Sequence, residues 1–593
     1  MHNTVNALIT DNIDLWTSAI KKRNATGRGS NKKIELSGIK KLRELILELA
    51  VRGKLVPQDA NDEPASVLLE RIAEEKAQLI ADKTIKKQKA LPEISGEEKL
   101  FELPQQWAWT RLGLVTNYGT CDKAASQKVE ANTWVLELED VEKSTSKLLK
   151  KVRYNEREFK SSKNKFLEGD VIYGKLRPYL DKVIVANESG VCTTEMIPVR
   201  AYSGILPEFL RLIMKAPYFI RYANESTHGM NLPRMGTDKA RLALIPILPL
   251  AEQHRIVAKV DELMLLCDQL EQKTEESLSA HQTLVEVLLA TLTDSDSAVP
   301  VKESFQTNWQ RLAEHFDVLF TTEASIEQLK QTILQLAVMG KLVPQNPNDE
   351  PASVLLEKIA KEKAQLIADK KIKKQKPLPA ITDEEKPFEL PSGWGFERLG
   401  NLTSRLGSGS TPRGGQSAYV DKGIIFLRSQ NIWNDGLKLD DTAYITDETH
   451  DKMVNTHVFP NDVLLNITGA SLGRSIIFPE KLVTANVSQH VTIIRLLETS
   501  MCKFLHMGIM SPLVQKLVWG RQVGMAIEGL SKKVLEQFEF PVPPLAEQHR
   551  IVAKVDELMT LCDQLKAQLN NAQTTQLHLA DAVVNNALKT AVG

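Results

Sequence analysis

The sequence lacks the cysteine pairs, long apolar runs and excess charge that identify several classes of protein. Its 593 residues include five cysteines, none in a CxxC pair, so neither a zinc ribbon nor a disulfide framework is indicated. No run of about 18 apolar residues occurs, so we expect no contact with a membrane. The formal net charge is zero, so any basic surface for nucleic acid must be local. These features are typical of a multidomain globular protein in a reducing, cytoplasmic compartment.

The motifs of common DNA-modifying and nucleotide-driven enzymes are also missing. The single Pro-Pro pair, Pro543–Pro544, has no acidic residue before it and no aromatic residue after it. It therefore differs from the acidic-Pro-Pro-aromatic loop of DNA amino-methyltransferases, which hold a flipped base. Neither a GxGxxG that opens a helix nor a GxxxxGK[ST] phosphate loop is present. We predict that the chain has no catalytic residues, binds no metal and holds no cofactor of its own.

What the sequence does contain is a long internal repeat. Residues 53–70 read GKLVPQDANDEPASVLLE, and residues 340–357 match them at 16 of 18 positions. A second repeat, PLAEQHRIVAKVDELM, is identical at residues 249–264 and 544–559. The offsets of the two repeats differ by eight residues, and the segments between the repeats share almost no sequence. A scaffold kept twice suits two copies of one partner, whereas two different inserts suit two different targets.

The repeats predict six segments. They are a helical scaffold segment (1–104), a first insert (105–248), a central helix with a linker (249–303), a second helical scaffold segment (304–391), a second insert (392–543) and a C-terminal helix (544–593). Within 249–303, residues 291–303 have the composition of the linker between the two halves.

Both copies of the second repeat begin a helix with a heptad seam. We expect these helices to continue to about residues 290 and 588 and to form an internal coiled coil. The alternative is that each seam packs on its own globular domain. The seam residues, which are the candidate scaffold or partner contacts, are Ile256, Val260, Leu263, Cys267 and Leu270, then Ile551, Val555, Leu558, Cys562 and Leu565.

Two further helix pairs are predicted in the scaffold. Residues 42–50 match 329–337, and the charged residues 65–83 match 352–370. Lysines follow the charged pair, at 86, 87 and 89 and at 371, 373, 374 and 376. We interpret them as solvated helix ends, with a contact to DNA phosphate as the alternative.

The inserts have the pattern of mixed α/β domains. Strands are predicted at 170–173, 182–186, 426–428, 463–467 and 491–497, and helices at 208–215 and 502–510. The first insert, counted over 105–250, carries a net charge of +6, and the second, counted over 392–545, carries +1.

Polar and basic loops after the predicted strands are candidates for DNA recognition. Lys and Arg bind guanine edges or phosphates, Gln and Asn bind adenine, and hydroxyl groups bind phosphates. In the first insert the candidates are Lys175, Arg177, Tyr179 and Arg234. In the second they are Ser410, Thr411, Arg413, Ser429, Gln430, Asn431, Thr468, Ser471, Arg474 and Arg521. The alternative for any one of them is an ordinary solvated loop residue.

The sequence resembles the specificity subunits of type I restriction-modification systems. The resemblance rests on the two repeats, on Trp107 and Trp394 ahead of RLG, and on the insert segments GSGSTPRGG, GDVIYGKLRPYL and PNDVLLNITGASLG. It covers nearly the whole chain. It implies an α+β multidomain fold in which two mixed α/β target recognition domains are joined by long helices that form an antiparallel coiled coil with pseudo-two-fold symmetry.

The resemblance also implies a function. Each recognition domain would read one half of a bipartite, asymmetric site on double-stranded DNA, and the helices would set the spacer. Two methyltransferase subunits that bind S-adenosylmethionine and two motor-nuclease subunits that use ATP and Mg would complete the complex. Two alternatives remain: a coiled-coil adaptor that binds proteins alone, and a self-contained DNA methyltransferase.

Overall fold

The chain divides into two compact units. The computed structural model describes residues 7–22, 34–293, 301–522 and 529–590. The first unit comprises residues 1–277 and 571–593, and the second comprises residues 278–570. Each unit contains a domain of mixed sheet and helix attached to scaffold helices. The protein is therefore an α+β multidomain protein with two mixed domains joined by long helices, as the sequence predicts.

Two long helices each contribute residues to both units. The first long helix is Leu250–Thr293 and the second long helix is Leu545–Thr590, close to the predicted ends at 290 and 588. The first begins in the first unit and its residues from 278 onward belong to the second unit. The second begins in the second unit and its residues from 571 onward belong to the first. Each unit thus contains the start of one long helix and the end of the other.

The remaining helices of the first unit differ in how much of their surface is buried. Helix Ser37–Val51, the first core helix, buries eleven of its fifteen residues. Helix Ala65–Ala81, the first arm helix, buries a stripe formed by Ala65, Leu68 and Ile72, as expected for an amphipathic surface helix. The others are Ile13–Ser18, Leu112–Val115, Pro207–Lys215, Pro217–Glu225 and Thr237–Leu242.

The first insert forms two small sheets, and a separate pair of strands at its two ends forms its base. The strands that enter and leave the insert, Ala108–Arg111 and Leu244–Ile247, pair with each other in antiparallel register. One sheet has the strand order 123–124, 163–166, 190–192, 134–136, and the other has the order 196–199, 171–174, 183–185. A hairpin pairs Thr227–His228 with Arg234–Met235, and a further pair joins Lys21–Lys22 to Ile34–Glu35. Because entry and exit strands pair, the insert folds as a closed domain.

The second unit repeats this plan with different strands. Its core helix is Glu323–Val338 and its arm helix is Ala352–Ala368. Its base is the antiparallel pair Gly395–Arg398 and Glu539–Val542. The sheets have the orders 403–408, 491–496, 463–466, 475–477 and 443–445, 424–427, 485–487, 457–458, and a hairpin pairs Ile432–Trp433 with Gly436–Leu437. The other helices are Val301–Glu314, Phe316–Leu319, Asp447–Lys452, Cys502–Met510, Pro512–Gly520 and Lys532–Leu535.

The elements predicted from the sequence are present, with ends that differ by a few residues. Helix Cys502–Met510 has its predicted bounds, and the first core helix starts five residues before the predicted 42. The predicted strand 170–173 is Val171–Gly174, and the predicted strand 426–428 is Ile424–Leu427. Of the predicted linker 291–303, both ends are helical, and residues 294–300 lie outside the described residues.

The heptad seams pack within their own units. Ile256, Val260, Leu263 and Cys267 are buried, and Leu270 is partly buried. Beside them, Arg43 of the first core helix forms ion pairs with Asp268 at 2.6 Å and Glu271 at 2.7 Å. Ile551, Val555 and Cys562 belong to one buried cluster with residues of the second core helix, and Leu558 and Leu565 pack against it. Each seam therefore packs against the core helix of its own unit.

The repeated sequences make the same contacts twice. The indole of Trp107 donates to Glu252 at 2.9 Å, and the indole of Trp394 donates to Glu547 at 3.1 Å. Both carboxyl groups are buried at the start of a long helix, and burial raises the pKa of each. The repeat therefore preserves a buried polar joint between each long helix and the base of each insert, where an unpaired group would be costly.

Two ion pairs complete this joint in each unit. At the start of the long helices, Arg255 pairs with Asp62 and Arg550 pairs with Asp349, both at 2.5 Å. At the base strands, Arg111 binds the carboxylate of Glu98 and Arg398 binds that of Glu385. The two units thus hold their inserts in the same way, although the inserts differ.

Candidate nucleic-acid interface

In the first unit, the predicted loop after strand Val171–Gly174 meets the hairpin 227–235. The amide of Arg177 donates to the carbonyl of Pro233 at 2.7 Å, and the amide of Met235 donates to the carbonyl of Lys175 at 3.1 Å. An isolated bridge joins Leu176 to Arg234. The structure therefore brings all four candidates of this insert, Lys175, Arg177, Tyr179 and Arg234, to one place.

The side chains of this cluster differ in how they are held. Arg177 has a left-handed backbone with φ of 51°, and its side chain is exposed, as is that of Tyr179. Arg234 makes a bidentate ion pair with Glu195, at 2.9 and 3.0 Å. The hydrogen bonds from Arg234 lower the pKa of Glu195. Arg177 therefore presents a full charge to solvent, whereas Glu195 orients and partly neutralises Arg234.

The hairpin itself was missed by the sequence analysis. Its tip carries Met230, which is fully exposed, and Leu232, which is 44% exposed. Two exposed apolar side chains beside Arg177 offer contact with base edges or the methyl group of thymine. The Gly229–Met230–Asn231 stretch is a turn signal, but alone it does not predict which loop lies beside it.

In the second unit, four loops converge at the ends of strands from both sheets. The amide of Ser410 donates to the carbonyl of Val487 at 3.1 Å, and the side chain of Asn466 donates to the carbonyl of Ser429 at 2.8 Å. The amide of Ile467 donates to the carbonyl of His490 at 3.0 Å. The predicted loops around 410, 429 and 468 therefore form one surface, together with residues 488–490, which the sequence analysis missed.

Hydroxyl groups of this surface are oriented by residues 489 and 490. Thr468 Oγ1 lies 2.7 Å from His490 Nδ1, and Thr411 Oγ1 donates to Gln489 Oε1 at 3.3 Å. Gln489 and His490 belong to the three-residue connection between strands Ala485–Val487 and Val491–Leu496. Hydroxyl, amide and imidazole groups held in this way can donate to phosphate or to acceptors on base edges.

An exposed tryptophan forms the other side of the same surface. The guanidinium of Arg474 lies 3.7 Å above the ring of Trp433, whose indole donates to the carbonyl of Gln430 at 2.8 Å. Trp433 is 38% exposed. The stack joins the loop 467–474 to the hairpin Ile432–Leu437 and fixes the direction of the Arg474 side chain. Trp433 in the stretch IWNDGL was a signal that the sequence analysis did not use.

The neighbouring candidates are divided between exposed and buried positions. Arg413 is exposed, Ser429 and Ser471 are half-buried, and the exposed side chain of Gln430 donates to Asp441 at 2.5 Å. Asn431, in contrast, is 1% exposed. Its side-chain amide accepts from the amide of Arg428 and donates to the carbonyls of Lys438 and Asp441. In this conformation Asn431 shapes the turn that presents Gln430, and its own amide is buried and bonded within the protein.

Arg521 also differs from its predicted role. It forms an ion pair with Glu539 at 2.9 Å, and Glu539 is a buried residue of the base strand that also binds Arg398. Arg521 is therefore attached to the base of the insert, whereas the recognition candidates of this unit lie on the converging loops. The guanidinium of Arg521 is the second cationic partner of the buried Glu539 carboxylate, beside Arg398.

The described residues contain no group of three or more His, Cys, Asp or Glu side chains that could hold a metal ion. Of the helices in the described ranges, none is both long and apolar enough to cross a bilayer.

Comparison with known proteins places the chain in one family. The model of the type I restriction modification DNA specificity domain matches residues 391–573. The chain is 43% identical over 601 residues to the type I restriction enzyme EcoAI specificity subunit of Escherichia coli, covering 99% of this chain and 100% of that protein. It is 39% identical over 612 residues to the EcoEI specificity subunit of Escherichia coli, covering 98% and 100%.

Among solved structures, the HsdS subunit from Thermoanaerobacter tengcongensis aligns with 82% of this chain and 98% of that chain, at 20% identity and a TM-score of 0.38. From its full-length identity to the relatives of Escherichia coli, the chain belongs to the family of type I restriction enzyme specificity subunits. It is the DNA-recognition subunit of a type I restriction-modification system, has no catalytic role of its own, and assembles with the other subunits of that system and with DNA.

Proposed function

We propose that each insert reads one half of a bipartite, asymmetric DNA site. The observation that carries the proposal is the combination of identical joints and different loop surfaces. Trp107 with Glu252 and Trp394 with Glu547 hold the two inserts in the same way. The loops that these joints support share almost no sequence. Two inserts that are attached in the same way but present different surfaces suit two half-sites of different sequence.

The chemistry of the two surfaces supports different base preferences. The first offers the cations Lys175 and Arg177 beside the exposed aromatic ring of Tyr179. Arginine and lysine pair most readily with guanine. The second offers hydroxyl and amide groups, with the stacked pair Trp433 and Arg474. Glutamine amides pair readily with adenine, so the second half-site should be read by a different set of hydrogen bonds.

We further propose that the duplicated scaffold carries two methyltransferase subunits and two motor-nuclease subunits in the cytoplasm. S-adenosylmethionine would be bound by the former and ATP with Mg by the latter, and one adenine would be methylated in each half-site. The scaffold is repeated in sequence and is held by the same joints in both units, so it offers two equivalent surfaces within one chain. Half-sites about one helical turn apart, roughly 34 Å, face the same side of a DNA duplex.

The test is domain exchange in the methyltransferase complex. The full chain is co-expressed with its methyltransferase subunit, and methylated adenines on host DNA are mapped by sequencing. Replacing residues 105–248 with the insert of another family member should change one half of the methylated motif, and replacing 392–543 should change the other half. A change in both halves after either exchange would refute independent reading, and the absence of any split motif would refute the proposal.

A second test concerns the spacer. We propose that the long helices set the distance between the half-sites, so removal of one heptad from each, residues 272–278 and 567–573, keeps the seams in phase. Seven helical residues are about 10 Å long, which is roughly three base pairs of DNA at 3.4 Å each. The methylated motif should then keep both half-sites with a spacer shorter by about that number, whereas an unchanged spacer would contradict the role of the helices.

A further inference from the structure

Each arm helix is followed by a short segment rich in lysine. The first lysine segment, residues 83–89, reads KTIKKQK, and the second lysine segment, residues 370–376, reads KKIKKQK. They contain four and five lysines and no acidic residue, in a chain whose formal net charge is zero. They are thus strong local concentrations of positive charge on the scaffold.

The two segments leave their helices with the same geometry. Lys83 and Lys370 both have φ of 58°, in the left-handed region. The next amide in each copy bonds to a helix carbonyl, from Thr84 to Leu79 at 3.0 Å and from Lys371 to Leu366 at 2.9 Å. Glycine is the residue that helices usually place here, because a side chain in this conformation costs on the order of 1 kcal/mol. Lysine is present in both copies despite this cost.

The helix dipole explains only part of this charge. A cation near the carboxyl end of a helix is stabilising, but the effect falls off beyond the last turn. It accounts for Lys83 and Lys370, and it does not account for the lysines that follow them outside the helix, three in the first segment and four in the second. Those lysines are exposed in both copies. Among the described residues, the ion pair found in these segments joins Lys371 to Asp369 at 3.8 Å.

A comparison of the two copies shows what has been retained. Between residues 62–104 and 349–391, eight of 43 positions differ, and all eight are exposed in both copies. Exposed positions on both sides of the lysine segments have therefore changed, including Glu74 to Lys361 and Glu93 to Ala380. The four lysines that the segments share have not changed, although packing does not require them.

The composition of the segments favours a nucleic-acid partner over a protein. The buried centre of a protein interface is depleted in lysine and enriched in aromatic residues and methionine. Neither segment has an aromatic residue or a methionine, and the single apolar side chain of each, Ile85 or Ile372, is half-buried. Lysine is a common ligand of phosphate as a point charge on a flexible stem.

In the first unit, the lysine segment is attached to the recognition domain. Arg241 donates to the side chain of Gln88 at 3.1 Å and to the carbonyl of Lys89 at 3.2 Å. Arg241 lies on helix Thr237–Leu242, which begins two residues after the hairpin strand Arg234–Met235. That hairpin is part of the candidate DNA interface. The attachment holds three exposed ammonium groups to the domain that carries this interface.

From these observations we propose that the two lysine segments bind DNA phosphates outside the half-sites, as a sequence-independent contact made once by each unit. The inference rests on the proposed function, since it assumes that the inserts engage DNA. The segments add affinity without selecting sequence, and they supply charge that the nearly neutral second insert lacks.

The test measures DNA affinity of the assembled methyltransferase complex as a function of salt. Two triple variants replace Lys86, Lys87 and Lys89, or Lys373, Lys374 and Lys376, with glutamine, and a matched control replaces the same residues with arginine. Each lysine that no longer binds a phosphate should reduce the slope of log affinity against log salt by about 0.9, or by up to about 2.7 for a segment. The loss of affinity should be equal on target and non-target duplexes, the methylated motif should not change, and the arginine controls should keep the wild-type slope.

Three outcomes would overturn the proposal. Unchanged slopes in both glutamine variants would show that the segments do not bind phosphate. Weakened assembly with the methyltransferase, seen by size-exclusion chromatography, together with normal DNA binding of the complex that forms, would assign the segments to a protein partner. A reduction in affinity confined to target DNA would show base reading instead. A wild-type complex that bound target and non-target duplexes equally would instead contradict the proposed function. That result comes from the wild type alone, so it is distinguishable from the three outcomes above.

Discussion

Replacing Arg398 with methionine should destabilise the second unit more than replacing Arg111 destabilises the first. Both side chains are 3% exposed, and both bind backbone carbonyls of the preceding segment and one glutamate 13 residues earlier. Arg398 also donates to Glu539 at 2.7 Å, and Glu539 is 2% exposed. Opposite Arg111, the base strand has Leu244. The two sites therefore differ by one buried carboxylate.

The size of the difference follows from that carboxylate. Removal of the shared hydrogen bonds should affect both units alike and cancels when the two variants are compared. A hydrogen bond to a charged group contributes about 1.5–3 kcal/mol, and Glu539 would keep Arg521, which is 37% exposed, as its remaining cation. We expect an excess destabilisation of the second unit of about 2 kcal/mol. Adding Glu539→Leu to Arg398→Met reproduces the pair of the first unit and should recover this excess.

Hydrogen exchange read by mass spectrometry measures the two units separately, which a single unfolding curve of a two-unit protein does not. Peptides covering Glu539–Val542 report the second base strand, and peptides covering Leu244–Ile247 report the first. An excess of about 2 kcal/mol corresponds to roughly 30-fold faster exchange in the second strand. Equal changes in the two strands, or a double variant no more stable than Arg398→Met, would refute the reasoning.

Three further predictions concern single residues. Lys215→Met should destabilise the first unit at neutral pH, because it removes the buried ammonium group 2.6 Å from the partly buried carboxylate of Asp181. Burial raises the pKa of Asp181 to about 6 even with Lys215 beside it, and loss of the ammonium group would raise this pKa further in the variant. The deficit should therefore shrink as the pH falls from neutral toward 6 and should level off below 6, where Asp181 is protonated in both proteins. A deficit that hydrogen exchange finds constant across this range would contradict the reasoning. Gly409→Ala should abolish methylation of the half-site read by the second insert and spare the other half-site. The Cβ atom of the new alanine would lie 1.8 Å from the carbonyl oxygen of Val487, so the loop would have to move. A complete motif in methylation mapping of this variant would count against the prediction. Trp433→Ala should weaken target binding roughly fivefold, or about 1 kcal/mol, by releasing Arg474, whereas Trp519→Ala, at a comparably exposed tryptophan, should leave the measured affinity unchanged.

The sequence alone was sufficient for the helices and for the internal repeat that marks equivalent segments of the chain. Helical periodicity is a local property, so the seam from Ile256 to Leu270 predicted a long helix from its own residues. The repeat predicted two equivalent scaffolds, and the structure shows equivalent joints at Trp107 and Trp394. The positions of the strands were also predicted to within a few residues. An apolar run such as 463–467 indicates a buried strand from its own residues, whichever strand it pairs with.

The composition of the loop surfaces was decided by the tertiary structure. Thr411 meets Gln489 and Asn466 meets Ser429 because the strands beside them belong to two sheets that share one buried cluster, and no local pattern encodes contacts between residues dozens of positions apart. Asn431 has the composition of a DNA-reading residue, but its turn folds inward so that buried carbonyls are satisfied. Residue types and spacing thus predicted the chemistry available for recognition, while long-range strand pairing and the packing of the two sheets determined which of those groups lie together on one surface.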